Sequence, residues 1–251
     1  GALTTTRVFN VDSLNSADLT IVSNGFTTSA DGAALLKVSY SLSADIVTPF
    51  NIAVLRSNSP AGTIADTRLF TYRVSAPNLL TAGSHTVTFR PDWSDADEDY
   101  YLVAKIDADD AVAETSESNN VAPFMGGVFL TLDGTVQVHG TNGVDTVKTE
   151  VTSDPGTPQI YFNGTVYSVS GDVPRTALRV RLHDGADTFL DDMDHGNWSF
   201  PEWIYGGTAA DTITVRNSYS VVDAGGGTDV VTVAGTSRAD TGDVGAQGIQ
   251  I

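Results

Sequence analysis

Gly225-Gly226-Gly227-Thr228-Asp229-Val230-Val231 decides how this chain is read. The glycines supply the φ > 0 positions that a tight turn demands, and the carboxylate closes the turn. The apolar residue two places on then points into a core. Moving toward the N-terminus, the same order of residue types recurs in Gly206-Gly207-Thr208-Ala209-Ala210-Asp211-Thr212-Ile213, in His183-Asp184-Gly185-Ala186-Asp187-Thr188-Phe189 and in Gly140-Thr141-Asn142-Gly143-Val144-Asp145-Thr146-Val147. Turn chemistry followed by strand chemistry, repeated, predicts stacked units: a β-roll or parallel β-helix with its aspartates in a row. Such a row can become a Ca²⁺ ladder, since calcium takes about six to eight oxygens from carboxylates, carbonyls and water. Asp211 and Asp229, 18 residues apart, are the best-placed pair, followed by Asp187 and Asp184, with Asp145 completing the candidate set. The alternative is a metal-free coil in which each Asp caps its own turn.

Composition agrees with a turn-rich, extracellular-type protein. The 251 residues suit one large or two ordinary domains. The net charge is −18, and the acid is unevenly chosen: 26 Asp against 5 Glu. Glu is the usual solvating acid on helices, whereas Asp suits turns and compact oxygen-rich cation sites. The 13 Lys and Arg do not cluster, which argues against nucleic acid and against an anionic membrane surface. No apolar run approaches the roughly 18 residues of a spanning helix, so membrane insertion is not expected. Gly1 begins no signal-peptide pattern, as expected of a mature or excised segment. The absence of Cys excludes a disulfide scaffold, a thiolate metal site and a Cys nucleophile.

Residues 18 to 122 alternate apolar and polar positions over short runs. The clearest are Leu36-Val38-Tyr40-Leu42, Phe50-Ile52-Val54, Phe70-Tyr72-Val74 and Leu102-Ala104-Ile106. About seven strands with frequent turns predict an antiparallel, immunoglobulin-like sandwich. The stretch Asp107-Ala108-Asp109-Asp110-Ala111-Val112-Ala113-Glu114-Thr115-Ser116-Glu117-Ser118-Asn119-Asn120 resembles the end of a CARDB domain, a cell-adhesion-related bacterial module. The family's Asp-rich turn, apolar pair, two Glu and double Asn all occur here in order. Asn78-Leu79-Leu80-Thr81-Ala82-Gly83 resembles the family's Leu-x-x-Gly turn. The resemblance covers roughly residues 16 to 123 and implies an immunoglobulin-like fold.

The pattern changes near Pro123-Phe124-Met125-Gly126-Gly127. Residues 130 to 235 resemble a degenerate set of RTX-type repeats, whose unit runs Gly-Gly-x-Gly-x-Asp-x-apolar-x. In that family two units make one coil turn, which matches the spacing of 18 between Asp211 and Asp229. The larger gaps of 42 and 24 between the earlier aspartates then require inserted hairpins and loops. Asn163-Gly164 carries one hairpin signal. The copy at Asp211 has Ala209 where the family places a later Gly, and the copy at Asp187 keeps only Gly185.

Two further features bear on function. Trp198, Trp203 and Tyr205 interrupt the coil and offer either a glycan platform or a packed plug. Asp92 to Asp99 starts like a calcium loop but has Tyr100 where the required Gly should follow, so it reads as a solvated loop. Catalysis finds no support: His85, His139, His183 and His195 lack metal-ligand spacing, and no nucleophile or phosphate motif appears. The sequence therefore predicts an all-β, non-catalytic chain. A CARDB-like immunoglobulin-fold sandwich over residues 1–124 precedes an RTX-like β-helix or β-roll over 125–251. The expected work is adhesion or spacing within a large secreted or cell-surface bacterial protein, with Ca²⁺ rigidifying the coil. Its partner would be extracellular matrix, a glycan or a surface protein. The alternative is a carbohydrate-binding accessory module of an extracellular hydrolase or protease.

Overall fold

The computed structural model describes residues 17–28, 34–62, 66–90, 93–94, 98–151, 158–168, 174–192, 200–216, 219–234, 243–245 and 248–250. They form an all-β molecule in which no helix is long and apolar enough to cross a membrane.

The first seven strands are β1 (Leu19–Thr28), β2 (Ala34–Leu42), β3 (Phe50–Ser57), β4 (Thr67–Val74), β5 (Gly83–Phe89), β6 (Tyr101–Lys105) and β7 (Val121–Phe124). One sheet has the order β1-β2-β5 and the other β4-β3-β6-β7, with every pair antiparallel. The chain crosses between sheets after β2, β4 and β5, which gives the immunoglobulin-like sandwich that the alternation predicts. Leu36, Val38, Tyr40 and Leu42 of β2 all face inward, toward Phe50, Ile52 and Val54 of β3. The buried Tyr40 hydroxyl donates to the Leu79 carbonyl at 2.8 Å.

The Asp-rich turn and the Glu and Asn residues that follow it stitch this sandwich together. Asp107 accepts the backbone N–H groups of Ala111 and Val112. Glu114 accepts the Leu19 N–H at 2.6 Å, which ties the loop to the start of β1. Asn120 donates to both Glu114 and Glu117, and Asn119 donates to Asp18 and Thr20. Asp109 and Asp110 pair with Arg68 and Lys105. Each of these polar side chains therefore has a protein partner.

After Phe124 the chain enters new sheets. The strands are β8 (Gly127–Leu130), β9 (Thr135–His139), β10 (Thr146–Val151), β11 (Pro158–Phe162), β12 (Thr165–Ser168), β13 (Ala177–Arg181), β14 (Thr188–Asp192), β15 (Glu202–Tyr205), β16 (Thr212–Val215), β17 (Ser220–Asp223), β18 (Val230–Val233), β19 (Asp243–Gly245) and β20 (Gly248–Gln250). Strands β9, β13, β15 and β17 run parallel in one sheet, and β10, β14, β16 and β18 run parallel in the other. Four coils result, each with one strand per sheet.

Two apolar ladders face each other across the coil interior. Val138, Val180, Ile204 and Val222 are in register on one side. Val147, Phe189, Ile213 and Val231 are in register on the other. The antiparallel hairpin β11–β12 covers β10 at the first coil and accounts for part of the long first gap. Its Asn163 and Gly164 have φ of 48° and 79°, as the Asn-Gly signal requires.

Candidate functional site

All four repeated aspartates fall at one corner of the coil, in the turn that leads from one sheet to the other. They form a directional ladder. The Asp145 N–H donates to Asp187 Oδ1 at 2.7 Å, the Asp187 N–H to Asp211 Oδ1 at 2.9 Å, and the Asp211 N–H to Asp229 Oδ1 at 3.0 Å. The parallel strand bonds begin beside them: the Asp145, Asp187 and Asp211 carbonyls accept from Thr188, Thr212 and Val230. Asp145 also closes its own turn, accepting the Thr141 N–H and hydroxyl on Oδ2.

Close stacking of these turns explains the glycines. Gly207 has φ of 111°, and a Cβ there would overlap the His183 carbonyl of the coil before. At Gly225, with φ of 78°, a Cβ would likewise overlap the Gly207 carbonyl. The departures from the repeat have local reasons as well. Two places before the aspartate, Gly185 and Gly227 are left-handed, whereas Ala209 is not and so needs no glycine. Four places before it, His183 holds a φ of 69° where the later copies have glycine.

The electrostatics of the ladder are demanding. Asp145, Asp187 and Asp211 are buried at 0%, 1% and 1% exposure. Burial pushes the Asp187 carboxyl up to about 7, reinforced by the charges of Asp145, Asp211 and Asp184 and opposed by the Asp145 N–H. Asp211 is raised for the same first reason. The second oxygens, Asp187 Oδ2 and Asp211 Oδ2, are buried with no hydrogen-bond partner. Their chemistry suits a hard cation such as Ca²⁺, but their number falls short of its shell. Among the described residues no three His, Asp or Glu side chains gather around one point. Asp184 turns away from the column: Oδ1 accepts from Thr208 at 2.5 Å and Oδ2 from Tyr101 at 3.4 Å.

The aromatic candidates lie on the outer face of the β9-β13-β15-β17 sheet. Trp203 is half-buried, with the Arg179 guanidinium 4.2 Å from its ring centroid. Tyr205 is buried beside Arg181, 5.5 Å from its ring. Trp198 lies outside the described residues.

Residues the sequence did not single out form a second polar cluster, between sandwich and coil. Arg181 is fully buried, stacked 3.9 Å over the Tyr100 ring, and its Nε donates to the Glu98 carbonyl. Gln137 Oε1 accepts from Tyr100 and Arg181. His139 Nδ1 meets His183 Nε2 at 3.2 Å, and the His183 ring stacks on Tyr101 at 4.3 Å. Burial first, then the Arg181 charge, holds both imidazoles well below their usual range, His183 at about 3. Both histidines are therefore neutral packing groups at physiological pH. Phe129 of β8 completes the seam by packing on Phe26 and Trp93 of the sandwich. The one available signal was register, since His139 and Arg181 become neighbours only once β9 and β13 are paired.

No family model, curated protein or solved structure matches this chain.

Proposed function

We propose that the chain is a non-catalytic adhesion or spacer segment of a large secreted or cell-surface bacterial protein. The observation that carries this reading is the aspartate ladder, which runs unbroken through four coils and makes each turn the support of the next. A spacer must hold a fixed geometry. The buried Arg181–Tyr100 seam serves that end by packing the sandwich against the coil. The likeness of residues 107–120 to the end of a CARDB domain supports an adhesion role, with matrix, a glycan or a surface protein as the proposed partner.

Calcium enters the proposal through Asp187 Oδ2 and Asp211 Oδ2, the ladder's two buried carboxylate oxygens without a hydrogen-bond partner. A cation held there would offset the repulsion of stacked carboxylates and stabilise the folded form by mass action. The carbohydrate-binding alternative gains no observation of its own, because Arg179 occupies a face of Trp203 and Tyr205 is buried.

The test is a calorimetric melt in excess EDTA and then in millimolar Ca²⁺, with Asp187→Ala and Asp211→Ala alongside. The expected result is one joint transition that Ca²⁺ raises by several degrees, with the rise lost in either variant. Separate melting of sandwich and coil would sink the spacer reading. A joint transition indifferent to Ca²⁺ would remove the cation and leave the spacer.

A further inference from the structure

The coil pattern is unfinished at β18. Val231 and Val233 are the register counterparts of Ile213 and Val215, which are both fully buried. Yet Val233 is 41% exposed and Val231 is only partly covered. Among the described residues β18 has β16 on one side and no strand on the other. The Asp229 N–H, whose equivalents in the earlier coils each donate to the next carboxylate, has no acceptor among those residues.

The opposite end of the ladder shows what a finished end looks like. Asn163 Nδ2 donates to Asp145 Oδ1 at 2.6 Å, where a preceding coil would have supplied a backbone N–H. Asn163 Oδ1 accepts the Thr146 N–H, and the Asn163 N–H donates to the Thr146 carbonyl. One carboxamide thus replaces a whole coil turn without adding a charge.

The chain carries a matching piece for the open end. Eighteen residues after Asp229, Val231 and Val233 stand Gln247, Ile249 and Ile251, the same spacing that separates Asp211 from Asp229. A Gln oxygen is an uncharged acceptor for the Asp229 N–H, and the two Ile residues repeat the inward alternation. In the structure Gly248–Gln250 instead pairs antiparallel with β17, with Ile249 opposite Val222.

We propose that the β18 edge is a docking site for a fifth coil, and that residues 247–251 of this chain occupy it in exchange with the pairing of Gly248–Gln250 on β17. A tethered segment has the advantage of high effective concentration. A second copy of the chain would bring its own net charge of −18 against the first.

The absence of Cys makes the test clean, since introduced pairs are the only thiols. Neighbouring strands lie ~4.8 Å apart, inside the ~4.4–6.8 Å range of a disulfide, whereas facing sheets lie ~10 Å apart, outside it. Val231→Cys with Ile249→Cys therefore reports the fifth coil, and Val222→Cys with Ile249→Cys reports the β17 pairing. In a glutathione buffer the first pair is expected to close within the monomer, with or without closure of the second. Ile249→Asp is expected to lower the melting temperature by a few degrees. Closure of the second pair alone would overturn the proposal, as would a 231–249 bond found only in dimers. Neither result bears on the spacer reading.

Discussion

The sandwich and the coil bury apolar residues by the same alternation and satisfy their polar groups in different ways. In the sandwich each polar tie is used once and spans a long stretch of chain: Glu114 reaches Leu19 across 95 residues, and Asn119 reaches Asp18 across 101. In the coil one tie is copied, with the N–H groups of Asp145, Asp187 and Asp211 each answered by the next carboxylate at separations of 42, 24 and 18. A single-use tie fails alone. A copied tie shares its members with both neighbours, so its stability is a nearest-neighbour property, as in other stacked-repeat architectures.

The largest expected effect separates the two cores. Phe50→Ala in the sandwich and Phe189→Ala in the coil each remove a fully buried ring and should cost about 3–5 kcal/mol. The Arg181 seam predicts that either variant lowers one common transition in calorimetry. A variant that moves one of two resolved transitions would show that the halves are coupled only by the chain.

The next effect bears on the ladder. Asp211→Ala removes the acceptor of the Asp187 N–H, and a buried unanswered donor should cost about 1–3 kcal/mol in a denaturant titration. Asp211→Asn keeps an oxygen acceptor and deletes a buried charge, so it should be close to neutral without Ca²⁺. Equal losses in both would mean that the charge itself matters, which would strengthen the cation reading. Asn163→Ala deletes two side-chain bonds at the capped end and should cost about 1–2 kcal/mol, measured the same way.

The stacked corner was legible because glycine and aspartate do one job four times, and repetition is visible in a linear text. The sandwich was legible through Leu36-Val38-Tyr40-Leu42 and its like, since alternation maps directly onto a two-faced strand. The ladder's wiring was not. That Asp187 serves Asp145 and leaves Oδ2 unanswered depends on how tightly the turns stack, which composition does not encode. The seam was hidden for another reason. Arg181, His139 and Gln137 sit at outward positions of strands that the sandwich then covers, so the strand pattern marks them as solvent-facing. His183 shows the trade directly: it stands in a left-handed position that glycine fills in later coils, and its ring stacks on Tyr101 of the sandwich.

The smallest expected effect concerns pH and sets a single-use tie against the ladder. Burial pushes the Glu114 carboxyl up to about 7, partly offset by the Leu19 N–H and the Asn120 amide. A carboxyl whose folded value lies above its unfolded value binds its proton more tightly in the folded state. Stability from this group is therefore complete only below about pH 4.5, where both states are protonated, and falls as the pH rises toward 7, where the folded form ionises as well. Glu114→Gln removes the titration and retains an oxygen for the Leu19 N–H. Between pH 5 and pH 8 the wild-type chain should lose on the order of 1 kcal/mol relative to Glu114→Gln, a value discounted for partial solvent screening. Paired denaturant titrations at the two pH values measure the difference. If the gap stays flat, Glu114 is ionised throughout, and the hydrogen bonds from Leu19 and Asn120 outweigh its burial.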